Sequence, residues 1–136
     1  MSIRELSKQV IDEAMKPAGT WTYTFLSDVV GKVKNSEERE YENFIQELFN
    51  FIGSEDTEEL QIFKIAQLVS AIKIQNPKKG TYIYHRNSEA ILKRLRKLPD
   101  TPLSHAAKRL VTDIFSKTQE ENHLLRRIKS FSHEPS

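Results

Sequence analysis

The chain of 136 residues has no cysteine. A disulfide framework, a thiolate nucleophile and a Cys-ligated metal are therefore excluded. Glycine and proline are scarce, at four and five residues, so few positions can interrupt a helix. No window approaches the ~20 apolar residues of a membrane span. The opening residues, M-S-I-R-E-L-S-K-Q, lack the apolar run of a signal peptide. The expectation is an intracellular protein without a membrane partner.

Catalytic motifs are missing too. The sequence has no H-E-x-x-H, no G-x-S-x-G and no glycine-rich phosphate loop. His85, His105, His123 and His133 are scattered, with no partner at ligand spacing. The acidic pairs Glu37-Glu38, Glu55-Asp56, Glu58-Glu59 and Glu120-Glu121 are sequence neighbours, which point apart on a helix. These absences predict a protein that is not an enzyme and holds neither cofactor nor metal.

Helical periodicity is present almost throughout. Ile3, Leu6, Val10, Ile11 and Ala14 share one helical face, and Pro17 and Gly19 close that segment. Trp21, Phe25, Val29 and Val33 recur every four residues; the T-W-T-Y-T-F run alternates, but its continuation favours a second helix. Asn35 or Ser36 is placed to cap a third helix bearing Tyr41, Phe44, Ile45, Leu48, Phe49 and Ile52, which Gly53 could end in a left-handed conformation. A fourth helix runs from about Thr57 to Ile72 and stops at Asn76-Pro77. The fifth covers roughly Tyr82 to Leu98. Thr101 caps a sixth with Pro102 at its first position, where a missing N–H costs nothing, and the sixth could extend to Ile128. The predicted fold is all-α, a single bundle of about six helices over residues 1–130, with residues 131–136 a frayed tail. Its core is expected to include Leu48, Phe49, Phe63, Leu68, Leu92, Leu95, Leu110 and Val111.

Charge is unevenly spread. From Glu37 to Leu60 there are nine acidic residues and one basic; from Lys73 to Leu110 there are ten basic and two acidic. Two solvated faces that neutralise each other would account for this, as would separate patches for separate partners. The basic part is the more informative. Lys93, Arg94, Arg96 and Lys97 fall between Leu92, Leu95 and Leu98, and Lys93, Arg96 and Lys97 share one helical face. Lys108 and Arg109 lie on the next helix. Lys78 and Lys79 sit in the loop entering the fifth, followed by Tyr82 and Tyr84. A basic rim beside aromatics suits an acidic peptide with an aromatic anchor. A nucleic-acid phosphate backbone is the second choice. Alternatively, Tyr82 or Tyr84 belongs to the core and the charges are ordinary surface.

The order of these residues resembles the TFIIS N-terminal domain, a small helical bundle of transcription elongation factors. That family carries an L-R-K helix followed by a helix of the form A-x-x-L-V-x-x-W. Here L-R-K stands at Leu95–Lys97 and A-K-R-L-V-T-D-I at Ala107–Ile114, with Ile114 in place of the tryptophan. The family's glycine-containing turn is Asn87-Ser88-Glu89-Ala90 here, without glycine. Upstream, Leu48 to Ile72 looks like the branch of the family that binds the histone chaperone Spt-six. The resemblance spans about residues 41–117 and leaves the first two helices as an N-terminal extension. It implies a right-handed bundle and a nuclear, monomeric adaptor. Such an adaptor would hold a disordered acidic segment of another transcription factor, of which the chaperone is one example.

Overall fold

The computed structural model describes residues 3–116, and these are helical, with no strand among them. The first helix, α1, spans Ile3–Ala14 and stops before Pro17 and Gly19 as the sequence predicts. The second, α2, spans Tyr23–Lys34 and begins later than the four-residue spacing suggests. Thr22 holds an extended backbone, and its hydroxyl accepts the Phe25 N–H at 3.2 Å. Trp21 therefore precedes the helix. Its ring still stacks on Phe25, with centroids 5.6 Å apart, so the aromatic spacing serves the cap instead of a continuous helical face.

The third helix, α3, spans Glu38–Gly53 and is capped by Glu37, not by Asn35 or Ser36. Those two residues close α2 instead: the Asn35 N–H donates to Gly31 and the Ser36 hydroxyl to Val33. Gly53 is the last helical residue and is not left-handed; the chain turns away at Ser54, which is extended. The left-handed glycine is Gly80, with φ 71°. A side chain there would be excluded twice over, because a Cβ would lie 2.4 Å from the Tyr41 ring. The fourth helix, α4, spans Glu59–Gln75, and the fifth, α5, spans Thr81–Arg96. The sixth, α6, begins at Pro102 and covers residues 102–116 of the described chain. Thr101 caps it as expected, its hydroxyl accepting the Ser104 N–H at 3.1 Å. The proposed continuation to Ile128 and the frayed tail lie outside the described residues.

Side-chain links fix the helix directions. The Ser7 hydroxyl donates to Glu47, Gln46 and Asn87 exchange amide hydrogen bonds of 3.0 and 2.8 Å, and Arg94 reaches the carbonyl of Ser54. Helices α1, α3 and α5 thus run the same way in one layer. Trp21 donates its indole N–H to the Lys64 carbonyl at 2.7 Å, and Lys79 reaches the carbonyl of Lys34. Thr101 donates to Glu59, and Lys73 to the Ile114 carbonyl. Helices α2, α4 and α6 therefore form a second layer running the other way. Three consecutive helical hairpins stand side by side.

The core lies between these layers. Leu48, Phe49, Leu68, Leu95 and Val111 are buried, as the sequence predicts, together with Tyr41, Phe44, Ile45, Ile65, Val69 and Ile72. Phe63, Leu92 and Leu110 pack at its margin and stay half-buried. Helix α4 is buried nearly all round, so two lysines end up inside it. Lys64 and Lys73 are nine residues apart, which places them on opposite sides of the helix. Lys64 donates to the carbonyls of Glu13 and Lys16 at 3.0 and 3.3 Å, closing the end of α1. Lys73 donates to the Ile114 carbonyl of α6 and lies 5.2 Å from the Tyr84 ring centroid. Burial lowers the pKa of the Lys64 ammonium, and the Glu13 carboxylate partly offsets that.

Candidate partner-binding face

Helix α5 divides its residues sharply. Ile83, Tyr84, Ile91 and Leu95 turn inward and are buried. Tyr82, Arg86, Glu89, Lys93, Arg96 and Lys97 turn outward and are exposed. Tyr84 is therefore not available to a partner. Its hydroxyl sits 2.8 Å from that of Tyr41 in a buried pair, beneath the close approach at Gly80. Burial pushes the Tyr84 phenol well above its usual range, and Tyr41 beside it adds to that. Burial raises Tyr41 to about 12, with the Tyr84 hydrogen bond working against the rise and Glu38 adding to it.

Several expected site residues have structural work instead. Lys79 donates to the carbonyls of Lys34 and Ser36 at 3.0 and 2.9 Å and lies over the Tyr41 ring. It ties the loop before α5 to the end of α2. Arg94 donates to the carbonyls of Ser54, Glu55 and Thr57 at 3.0 to 3.4 Å and fixes the α3–α4 connection. Lys78 is exposed, but it lies at the opposite end of α5 from Lys93, Arg96 and Lys97. A helix of 16 residues separates the ends by about 24 Å. Lys108 is half-buried and Arg109 exposed on α6. The contacts that seat α6 run to α4 and, through Phe115, to Phe49 on α3.

One cation was not singled out in the sequence. Arg86 is four residues from Tyr82 and seven from Lys93, so it bridges the two ends of the outward face. Helical spacing measured from the exposed Tyr82 would have found it. Arg86, Lys93 and Arg96 form no ion pair among the described residues.

An open cleft adjoins the C-terminal end of this face. Its volume is about 540 Å³. Leu60, Leu98, Pro99 and Leu103 give it an apolar lining. Arg94 and Lys97 line it from the end of α5, and Glu55, Glu58 and Glu59 from the α3–α4 connection and the first turn of α4. Glu59 accepts from the Thr101 hydroxyl. The contact between Lys97 and Glu55, at 4.0 Å, joins two exposed side chains, so screening leaves it weak.

The acidic stretch does not form one patch. Glu37, Glu38 and Glu40 gather at the start of α3, while Glu55, Asp56 and Glu58 lie past its far end. A second cleft, of about 440 Å³, opens between α1 and α3 near Arg4, Glu40 and Glu47. His85 and His105 are exposed, His105 being 2.5 Å from Asp100, and His123 and His133 lie outside the described residues. Among the described residues no three His, Asp or Glu side chains are placed to hold a metal, and no helix is long and apolar enough to cross a membrane. Comparison with protein-family models, curated proteins and solved structures finds no match to this chain.

Proposed function

We propose that this chain is a non-enzymatic adaptor that binds a short acidic, aromatic-anchored segment of a partner protein along α5. The observation that carries the reading is the outward face of that helix. Arg86, Lys93, Arg96 and Lys97 share it with Tyr82, with Glu89 the one acid among them. The cleft at its C-terminal end supplies an apolar gap for the anchor. Rim cations of this kind tune association rate and salt dependence, while a buried anchor holds most of the affinity. The resemblance of residues 41–117 to the TFIIS N-terminal domain supports a nuclear setting in transcription elongation. It makes the N-terminal region of a histone chaperone of the Spt-six type a partner to try first. The working reading is a monomer.

The test is titration with a synthetic acidic peptide containing one phenylalanine. Reversing Lys93 and Lys97 to Glu should weaken binding by roughly 10-fold, as expected for two exposed charge pairs turned repulsive. Chemical-shift changes should fall on α5 and the cleft; changes confined to Glu37–Glu42 would place the site elsewhere. Salt separates this reading from contact with duplex DNA. Each neutralised phosphate would add about −0.9 to the log–log slope of affinity against salt, whereas an anchored peptide responds much less steeply.

A further inference from the structure

We infer that the cleft at the end of α5 selects an anchor whose two flanks carry opposite charge: acidic residues on the α5 side and a lysine or arginine on the α4 side. This rests on the peptide-binding reading above and specifies its ligand. The cleft takes its cations from the end of α5 and its acids from residues 55–59. Lys97 continues the cationic face of α5, so a segment running along that face keeps its acidic residues there. Beyond the anchor the segment meets Glu55 and Glu58, both exposed and both in the lining. A uniformly acidic segment would be repelled on leaving the cleft. One that turns basic within a few residues of the anchor would be held by both sets of charges.

The walls are set before any ligand arrives. The three carbonyl bonds from Arg94 hold residues 54–57, which present Glu55 and Thr57 to the cleft. Thr101 donating to Glu59 joins the start of α4 to the start of α6 across the lining. A fixed wall keeps the spacing between the two sets constant, so charge placement in the ligand is read without an ordering cost. The Lys97–Glu55 contact is weak, and a ligand that brings an acid to one and a base to the other replaces it with two pairs.

Three peptides test this. Each begins with four acidic residues and one phenylalanine; the first continues with two lysines, the second with two serines, the third with two glutamates. The lysine peptide should bind about 3- to 10-fold tighter than the serine peptide, and the glutamate peptide weaker than both. In the double variant Glu55→Lys and Glu58→Gln this order should collapse or invert. Equal affinities for all three, with Lys93→Glu/Lys97→Glu still weakening each, would overturn the opposite-charge assignment and leave the α5 reading standing. A lysine preference that persists in the Glu55/Glu58 variant would come from the peptide itself and would also overturn it. Failure of every peptide to bind would overturn both.

Discussion

Helices α4 and α5 are nearly equal in length, at 17 and 16 residues, and both carry lysines. They use them in opposite ways. The lysines of α4 are buried and spend their hydrogen bonds on backbone carbonyls at the end of α1 and within α6. Lys93, the one lysine of α5, stays in solvent and makes no ion pair among the described residues. The difference lies in the surrounding residues. A helix apolar on all sides has no wet face on which to place a charge, so its lysines must find partners inside. A helix with one apolar stripe leaves the cations of its outward face free for something else, while Arg94 at the edge of the stripe is held by carbonyls. Lysine count therefore says little about a binding surface until each helix's apolar arc is known.

The comparison breaks most visibly at the core. Leu68→Ala on α4 should cost on the order of 2–5 kcal/mol, because the side chain is fully buried. The half-buried Leu92→Ala on α5 should cost clearly less, and chemical denaturation of the two variants would rank them. Next comes Lys64→Ala. It removes the ammonium donor from the Glu13 and Lys16 carbonyls, of which Glu13 keeps the Lys16 N–H, so a loss of about 1–3 kcal/mol is expected. An equal loss for Lys93→Ala would erase the distinction between the helices.

A pH series sharpens the contrast. Tyr41 and Tyr84 titrate higher in the folded than in the unfolded chain. The folded state holds their protons longer, so their stabilising contribution is complete below about pH 10 and is lost as pH rises from there towards 12. Lys64, lowered in the folded state, acts in the other direction and adds stability as pH climbs towards its ordinary value. Stability should therefore fall above about pH 10, by on the order of 1.4 kcal/mol per unit for each tyrosine involved. Tyr84→Phe should flatten that fall; an unchanged slope would show that the pair does not control it. The smallest effect belongs to the outward face of α5. Lys93→Glu with Lys97→Glu should move stability by no more than about 0.5 kcal/mol per site, and a large drop in melting temperature would mean these residues support the fold.

Much of the fold was legible because its punctuation is chemical. Thr101-Pro102 announces a helix start, and Asn76-Pro77 announces a stop. The errors arose where tertiary packing chose between local options. Gly53 looked like a left-handed cap, yet Ser54 ends that helix in an extended conformation, and the left-handed residue is Gly80, where the ring of Tyr41, distant in sequence, leaves no room for a side chain. Thr22 shortened α2 at its start. Tyr84 was separable from Tyr82 in principle, since it lies seven and eleven residues before Ile91 and Leu95, along the buried stripe. The roles of Arg94 and Lys79 had no local signal at all. Each depends on backbone carbonyls from a distant turn, and side-chain patterns do not report where those will be.

Trp21 gives the molecule a built-in optical reporter. It is the chain's single tryptophan, stacked on Phe25, with its N–H fixed to the Lys64 carbonyl and the Lys64 ammonium 5.1 Å from its ring centroid. Its fluorescence therefore follows the seating of the first hairpin on α4. Ligands arriving at α5 should leave that emission steady, whereas separation of the first hairpin should shift it to the red.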